Sequence, residues 1–355
     1  MLGIDARAAK ATWTVFLVVL AVATAYAIRE TLVVLAIALL FAYLLMPLVG
    51  LLERFTPRRI SPRFALAIVY LALLGAMIAL AVTLGGRIID EADTLAARLP
   101  DLLKNRDWIN SIPLPYWLEP VRAKIVQTLQ TELDSGGKEV MPYLKTLGGH
   151  IVAGARYLLY LILIPVLSFF FLKDGHTIRR HLVESLEEGR RRVMVDEIFE
   201  DINRLLGHYI RALVLLALSS FTGYTVFLGL TGAPYALLLA GLAALGEFLP
   251  VVGPAGAGAV TLLVTGLSGY DHLVMFAIFW LVFRMFQDYV VSPYVMGKGV
   301  ELNPLLVLFG VLAGEQIAGV TGMFFSVPVI ATLRVVFVRL QRSGRGELVA
   351  PQSEV

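Results

Sequence analysis

The chain has 355 residues, 58% of them hydrophobic and 16% charged, against about 45–50% and 25% in soluble domains. That balance excludes a soluble domain and makes the chain a polytopic membrane protein. The absence of cysteine rules out disulfides, thiolate metal sites and cysteine nucleophiles. A net charge of +3 leaves no nucleic-acid footprint.

At the N-terminus, Arg7, Lys10, the apolar run 15–23 and Ala25-Tyr26-Ala27 imitate a cleavable signal peptide. A second apolar segment follows at once from Thr31, so a retained first helix is expected. Residues 1–86 read as three spanning helices, at 13–28, 31–51 and 64–84, with Pro47 kinking or ending the second. Arg54, Arg58, Arg59 and Arg63 mark the loop between the second and third as cytoplasmic. Both termini are then cytoplasmic. Residues 87–150 contain no spanning run and carry nearly balanced charge, so a small extracytoplasmic helical module is expected there. Residues 151–172 form a fourth span, closed by Lys173-Asp174-Gly175 as a helix stop. The charged stretch 173–208 reads as amphipathic helices along the cytoplasmic surface.

Residues 209–340 form the expected transport core, followed by a disordered cytoplasmic tail at 341–355. The core holds two apolar segments, 234–267 and 303–338, that break where a spanning helix would not. The first is interrupted by Gly246-Glu-Phe-Leu-Pro-Val-Val-Gly-Pro254, and proline cannot continue a helix here without losing a hydrogen bond. The second has the same plan. Each opens on a proline (Pro234, Pro304), reaches Gly-Glu (Gly246-Glu247, Gly314-Glu315) and then turns. The prolines are 70 apart and the glutamates 68. Paired interrupted segments point to a transporter's binding site, and one helix plus one hairpin in each half makes an inverted repeat. Whether each hairpin re-enters or fully spans, the charge rule does not separate.

A charge at a helix centre costs about 2.5–3.5 kcal/mol, while a leucine returns only about 0.3–0.6. Glu247 therefore has a cavity, a partner or the water interface to face. Arg284 and Asp288, four apart on the helix at 273–291, share a face and can pair with each other. Alternatively they line a cavity with Glu247, Pro250, Gln287, Asn303, Glu315 and Gln316, where a small polar solute would be held. Gly246, Gly253, Pro254, Gly314 and Gly319 are the expected hinges. No zinc motif, nucleophile elbow or phosphate loop is present, so neither an enzyme nor a metal or cofactor site is expected.

With these motifs in place the sequence resembles the AI-2E family of bacterial transporters. The resemblance rests on Phe171-Leu-Lys-Asp-Gly175, the stretch Gly246 to Pro254, and Gln287-Asp-Tyr-Val-Val-Ser-Pro-Tyr-Val-Met-Gly297. It continues in Leu302-Asn-Pro304 and Gly319-Val-Thr-Gly-Met-Phe-Phe-Ser-Val-Pro328. It implies an all-α, multi-pass inner-membrane protein of about eight hydrophobic membrane segments, a homo-oligomer that moves a small solute such as autoinducer-2. Some members are described as sodium/proton antiporters, which implies coupling to H+ or Na+. Two departures stand out: Asn303 occupies the middle of the family's usual Leu-His-Pro, and Glu315 stands where paired glycines are common. Three functions follow: a secondary exporter whose two-hairpin unit shifts against a scaffold of the first three helices, a cation/proton antiporter, and a membrane scaffold or channel.

Overall fold

The computed structural model describes residues 6–53, 62–104, 154–186, 189–296 and 303–344. Most of the expected module at 87–150, the start of the fourth segment at 151–153 and the tail from 345 onward lie outside them. Every regular element described is helical. Helices α1 (Ala6–Ala27), α2 (Arg29–Glu53), α3 (Pro62–Lys104) and α4 (Gly154–Glu184) form one half. Helices α5 (Arg190–Leu230), α6 (Ala236–Gly246), α7 (Val252–Leu267), α8 (Leu273–Phe286), α9 (Ser292–Met296) and α10 (Pro304–Gly344) form the other. Large apolar side chains stay exposed along α1, α3, α8 and α10, as lipid-facing helices require.

Several boundaries differ from the sequence expectation. Pro47 lies inside α2, which runs on to Glu53. The third helix does not end at residue 84 but continues unbroken to Lys104. Gly175 does not stop α4, which carries through to Glu184; an internal glycine costs a helix only about 1 kcal/mol. Within the charged stretch 173–208, residues 173–184 continue α4 and residues 190–208 open α5.

Ion pairs tie these ends together. Arg179 Nη2 reaches Asp196 Oδ1 at 2.8 Å and Glu200 Oε2 at 3.6 Å. Arg339 near the end of α10 reaches Glu197 Oε2 and Asp201 Oδ2, both at 2.6 Å. A planar guanidinium suits two carboxylates one helical turn apart better than an ammonium does. Arg339→Lys should thus recover little of what Arg339→Ala loses, about 1–2 kcal/mol for a charge-assisted pair on this part-exposed surface. Melting of purified protein in detergent, at low and at high salt, checks this; the loss should shrink with salt.

Both interrupted segments fold into helical hairpins. In the first, α6 and α7 are pinched together at glycines: a Cβ on Gly253 would lie 2.6 Å from the carbonyl carbon of Gly246. In the second, α10 is two helices joined at Ala318-Gly319, where Gly319 takes φ 59°. Its arms pair antiparallel, Gly310 against Ile330 and Gly314 against Gly322; a Cβ on Gly322 would lie 2.6 Å from the carbonyl carbon of Gly314. The entering arms have 11 residues in α6 and run 304–317 in α10. At 1.5 Å per residue these reach about 16 and 21 Å, short of the roughly 30 Å hydrocarbon layer. Neither entering arm is long enough to cross that layer by itself.

Helix α5 orders them. Arg339 pairs with Glu197 and Asp201, and Val327 packs with Tyr209, Ile210 and Leu213, so the outer arm of hairpin 2 runs antiparallel to α5 from its charged end. Hairpin 1 approaches from the other end: Leu239 and Ala240 pack with Leu228 and Tyr224, and Glu247 meets Ser220. Continued along α5, the first register brings Gly319 near position 219, level with Glu247. The tips approach from opposite ends, and Phe248 of one meets Phe324 of the other, ring centroids 6.0 Å apart.

Candidate functional site

Glu247 ends α6 and is 7% exposed. The turn beyond it is strained. Val251 has φ 66° and ψ −55°, and the Val252 N–H donates to the Pro250 carbonyl at 2.7 Å. This three-residue turn is the rare positive-φ form, and a β-branched residue adopts it at a cost of about 1–3 kcal/mol.

Helices α5 and α8 meet the carboxylate. The Gln287 amide, just beyond α8, donates to Ser220 Oγ at 2.8 Å, which leaves the serine's one proton for Glu247 Oε1, 2.7 Å away. Arg284 Nη1 lies 3.7 Å from Glu247 Oε2 and binds Asp288 in a fork, Nη2–Oδ1 2.7 Å and Nε–Oδ2 3.0 Å. The paired ends of this chain are distinct: Glu247 is buried, Asp288 exposed. A burial of this kind is tolerated only when the charge is paired and hydrogen-bonded.

Gln287 opens a π-helical turn, Gln287–Val291, in which the Ser292 N–H reaches back to the Gln287 carbonyl. Pro293, one residue further, has no N–H to offer the carbonyl of Tyr289. Such one-turn widenings recur at functional sites because they re-aim side chains. Here Gln287 faces Ser220 and Leu216 of α5, and Arg284 faces Glu247 of hairpin 1. Together with Ser220, Glu247, Tyr224 and Trp280 they line a cavity of ≈ 10 Å³, room for the centre of about one water. Pro254 and Phe283 line it too.

The structure thus brings together Glu247, Arg284, Gln287 and Asp288 of the expected set. Pro250 sits in the strained turn beside them. The other three lie elsewhere. Asn303 caps α10: its Oδ1 accepts the Leu305 N–H at 2.9 Å, the N-cap role that suits asparagine. Glu315 and Gln316 are exposed on the entering arm of hairpin 2 and do not line the cavity. Of the expected hinges, Gly319 is in the turn, whereas Gly246, Gly253 and Gly314 are close-approach points within helical arms. Pro254 lies in the first turn of α7, where its missing N–H has no partner to lose. Ser220, Tyr224 and Trp280 were not legible as site residues. Gly258 offered an indirect signal, since a Cβ there would collide with the Trp280 indole, 2.8 Å from Cζ2.

Two opposed helical hairpins around a buried, charge-paired centre define a polytopic helical protein of the transporter class. The chain belongs to the AI-2E family transporter family, whose sequence profile it matches over residues 15–342. It is 27% identical over 317 residues to YueF of Bacillus subtilis (strain 168), a provisionally named transport protein, covering 86% of this chain and 83% of that one. A provisionally named transport protein of Methanothermobacter thermautotrophicus is 26% identical over 307 residues, 81% of this chain and 87% of its own. PerM of Escherichia coli (strain K12), a provisionally named permease, is 26% identical over 185 residues, half of each chain.

Proposed function

We propose that the protein is a secondary transporter that moves a small polar solute, autoinducer-2 being the type the family's name suggests, across the bacterial inner membrane. The observation that carries this is the meeting of two opposed hairpin tips beside the Glu247–Ser220–Gln287–Arg284 network. A polar centre at the end of two broken helices is where transporters of inverted-repeat design bind substrate. In this reading α1, α2 and α3 form the scaffold, the two-hairpin unit shifts against it, and both termini are cytoplasmic. The working form is a homo-oligomer. Glu315 and Gln316 then face a water-filled vestibule or a neighbouring subunit, since lipid would reject them.

The second reading, a sodium or other cation/proton antiporter, is favoured by one feature. Glu247 Oε1 is occupied by the serine proton, while Oε2 faces Arg284 across 3.7 Å and has room to exchange a proton. Solute counterflow in proteoliposomes tests the exporter, and proton release on adding sodium tests the antiporter. Glu247→Gln is expected to cut the relevant flux at least tenfold. Asp288→Asn should weaken it less, because Arg284 keeps Glu247. If Glu247→Gln, Asp288→Asn and Glu315→Gln all transport like the parent, the site assignment is wrong.

A further inference from the structure

Helix α6 lacks a cap of its own. The residues before it are Gly232-Ala-Pro-Tyr235, with none of the serine, threonine, aspartate or asparagine side chains that satisfy a first-turn N–H. Tyr235 takes the left-handed conformation, φ 58°, and makes no side-chain cap bond. The acceptor comes instead from another helix. Glu91 Oε2 on α3 accepts the Leu238 N–H at 2.8 Å, across 147 residues of sequence.

Two more contacts lie on the same stripe of α3. The methyl end of Ile88 sits 3.6 Å from where a Cβ on Gly241 would be, and Leu95 packs on the cluster of Leu239, Ala240 and Tyr224. Positions 88, 91 and 95 are spaced three and four apart, hence on one face. Their neighbours Asp93, Thr94, Ala96, Ala97 and Arg98 are exposed. At 43 residues, α3 is about 65 Å long, roughly twice a bilayer's hydrocarbon thickness. Its second half reaches hairpin 1 through this one stripe.

We infer that Glu91 is a latch that holds the open end of hairpin 1 against α3 and is released in each transport cycle. The inference rests on the proposed shift of the hairpin unit against a scaffold containing α3. In that motion Glu91 is the one polar contact described between α3 and α6 that has to break. A carboxylate on the positive end of a short helix re-forms the contact without needing a matching side chain. Closing the latch sets α6, and through α6 the level at which Glu247 faces Ser220.

The cysteine-free chain makes the test direct. Ile88→Cys and Gly241→Cys are introduced together, the protein is reconstituted, and the pair is bridged with a short bis-methanethiosulfonate reagent. Bridging is expected to lower flux at least tenfold, and dithiothreitol to restore it; Gly241→Cys alone, treated identically, keeps its flux. Full flux in the bridged protein overturns the latch and leaves the transport reading standing. Absence of any flux before bridging refutes the transport reading, and the cycle-linked latch with it. Hydrogen exchange of residues 236–246 then still reads the capping bond: Glu91→Ala should speed it at least tenfold and Glu91→Gln less. Unchanged exchange overturns the cap as well.

Discussion

Gly253→Ala is expected to destroy hairpin 1, and Gly322→Ala hairpin 2, while Gly256→Ala on the same helix as Gly253 is harmless. A Cβ on Gly253 would come within 2.6 Å of the Gly246 carbonyl carbon and 2.9 Å of its Cα, and one on Gly322 within 2.6 and 3.1 Å of the same atoms of Gly314. These neighbours are backbone, so no rotamer change relieves the clash. The arms have to part, which also uncovers Glu247 at the first tip. Ordinary overpacking costs about 1–3 kcal/mol; a rigid backbone collision belongs in the rarer class above about 4. Gly256 has nothing within 4 Å of its would-be Cβ, and alanine there should gain about 0.5–1 kcal/mol of helix preference. Melting followed by fluorescence-detected size exclusion, with counterflow on the same samples, checks all three. Equal melting of Gly253→Ala and Gly256→Ala would contradict the pinched hairpin.

That pinch explains what was legible in the sequence. Interrupted apolar segments with matching Gly-Glu pairs do fold as hairpins, and Arg284 and Asp288, four apart, do pair. The equivalence of the two glutamates fails for a reason of register. Helix α6 ends at Gly246, so Glu247 enters the turn and faces α5 and α8. In hairpin 2 the helix continues until Ala318-Gly319, and Glu315 stays on its outer side. One residue in helix length turns a side chain by about 100°, which motif spacing alone does not resolve. Ser220 was invisible because Ser219 and Thr222 stand beside it in an otherwise apolar stretch of α5, so no periodicity picks out one hydroxyl. The extended ends of α3 and α4 were read as separate pieces because charge shows where apolar surroundings end. It does not show where a helix ends.

Arg284→Met is expected to destabilise the protein by about 2–3 kcal/mol, and Glu247→Gln in the same chain to recover most of that loss. Removing one partner of a buried ion pair typically costs about 3–5 kcal/mol, because the other charge is left uncompensated. The cost here falls lower, since the Arg284 side chain is 34% exposed and stands 3.7 Å from Glu247. Asp288, on the exposed side of the fork, contributes little on losing its partner. Glu247 is the group that suffers: Ser220 alone would then face a buried carboxylate. Glutamine keeps the acceptor for the serine proton and carries no charge to desolvate. The double mutant should therefore melt near Glu247→Gln alone, giving a coupling of about 2–3 kcal/mol between positions 247 and 284. Flux should behave differently and stay low in all three variants, because the charge that restores folding when removed is the one proposed to handle the solute or the proton. Additive melting shifts would mean that Arg284 serves Asp288 only, and that the carboxylate of Glu247 is held by Ser220 without the guanidinium.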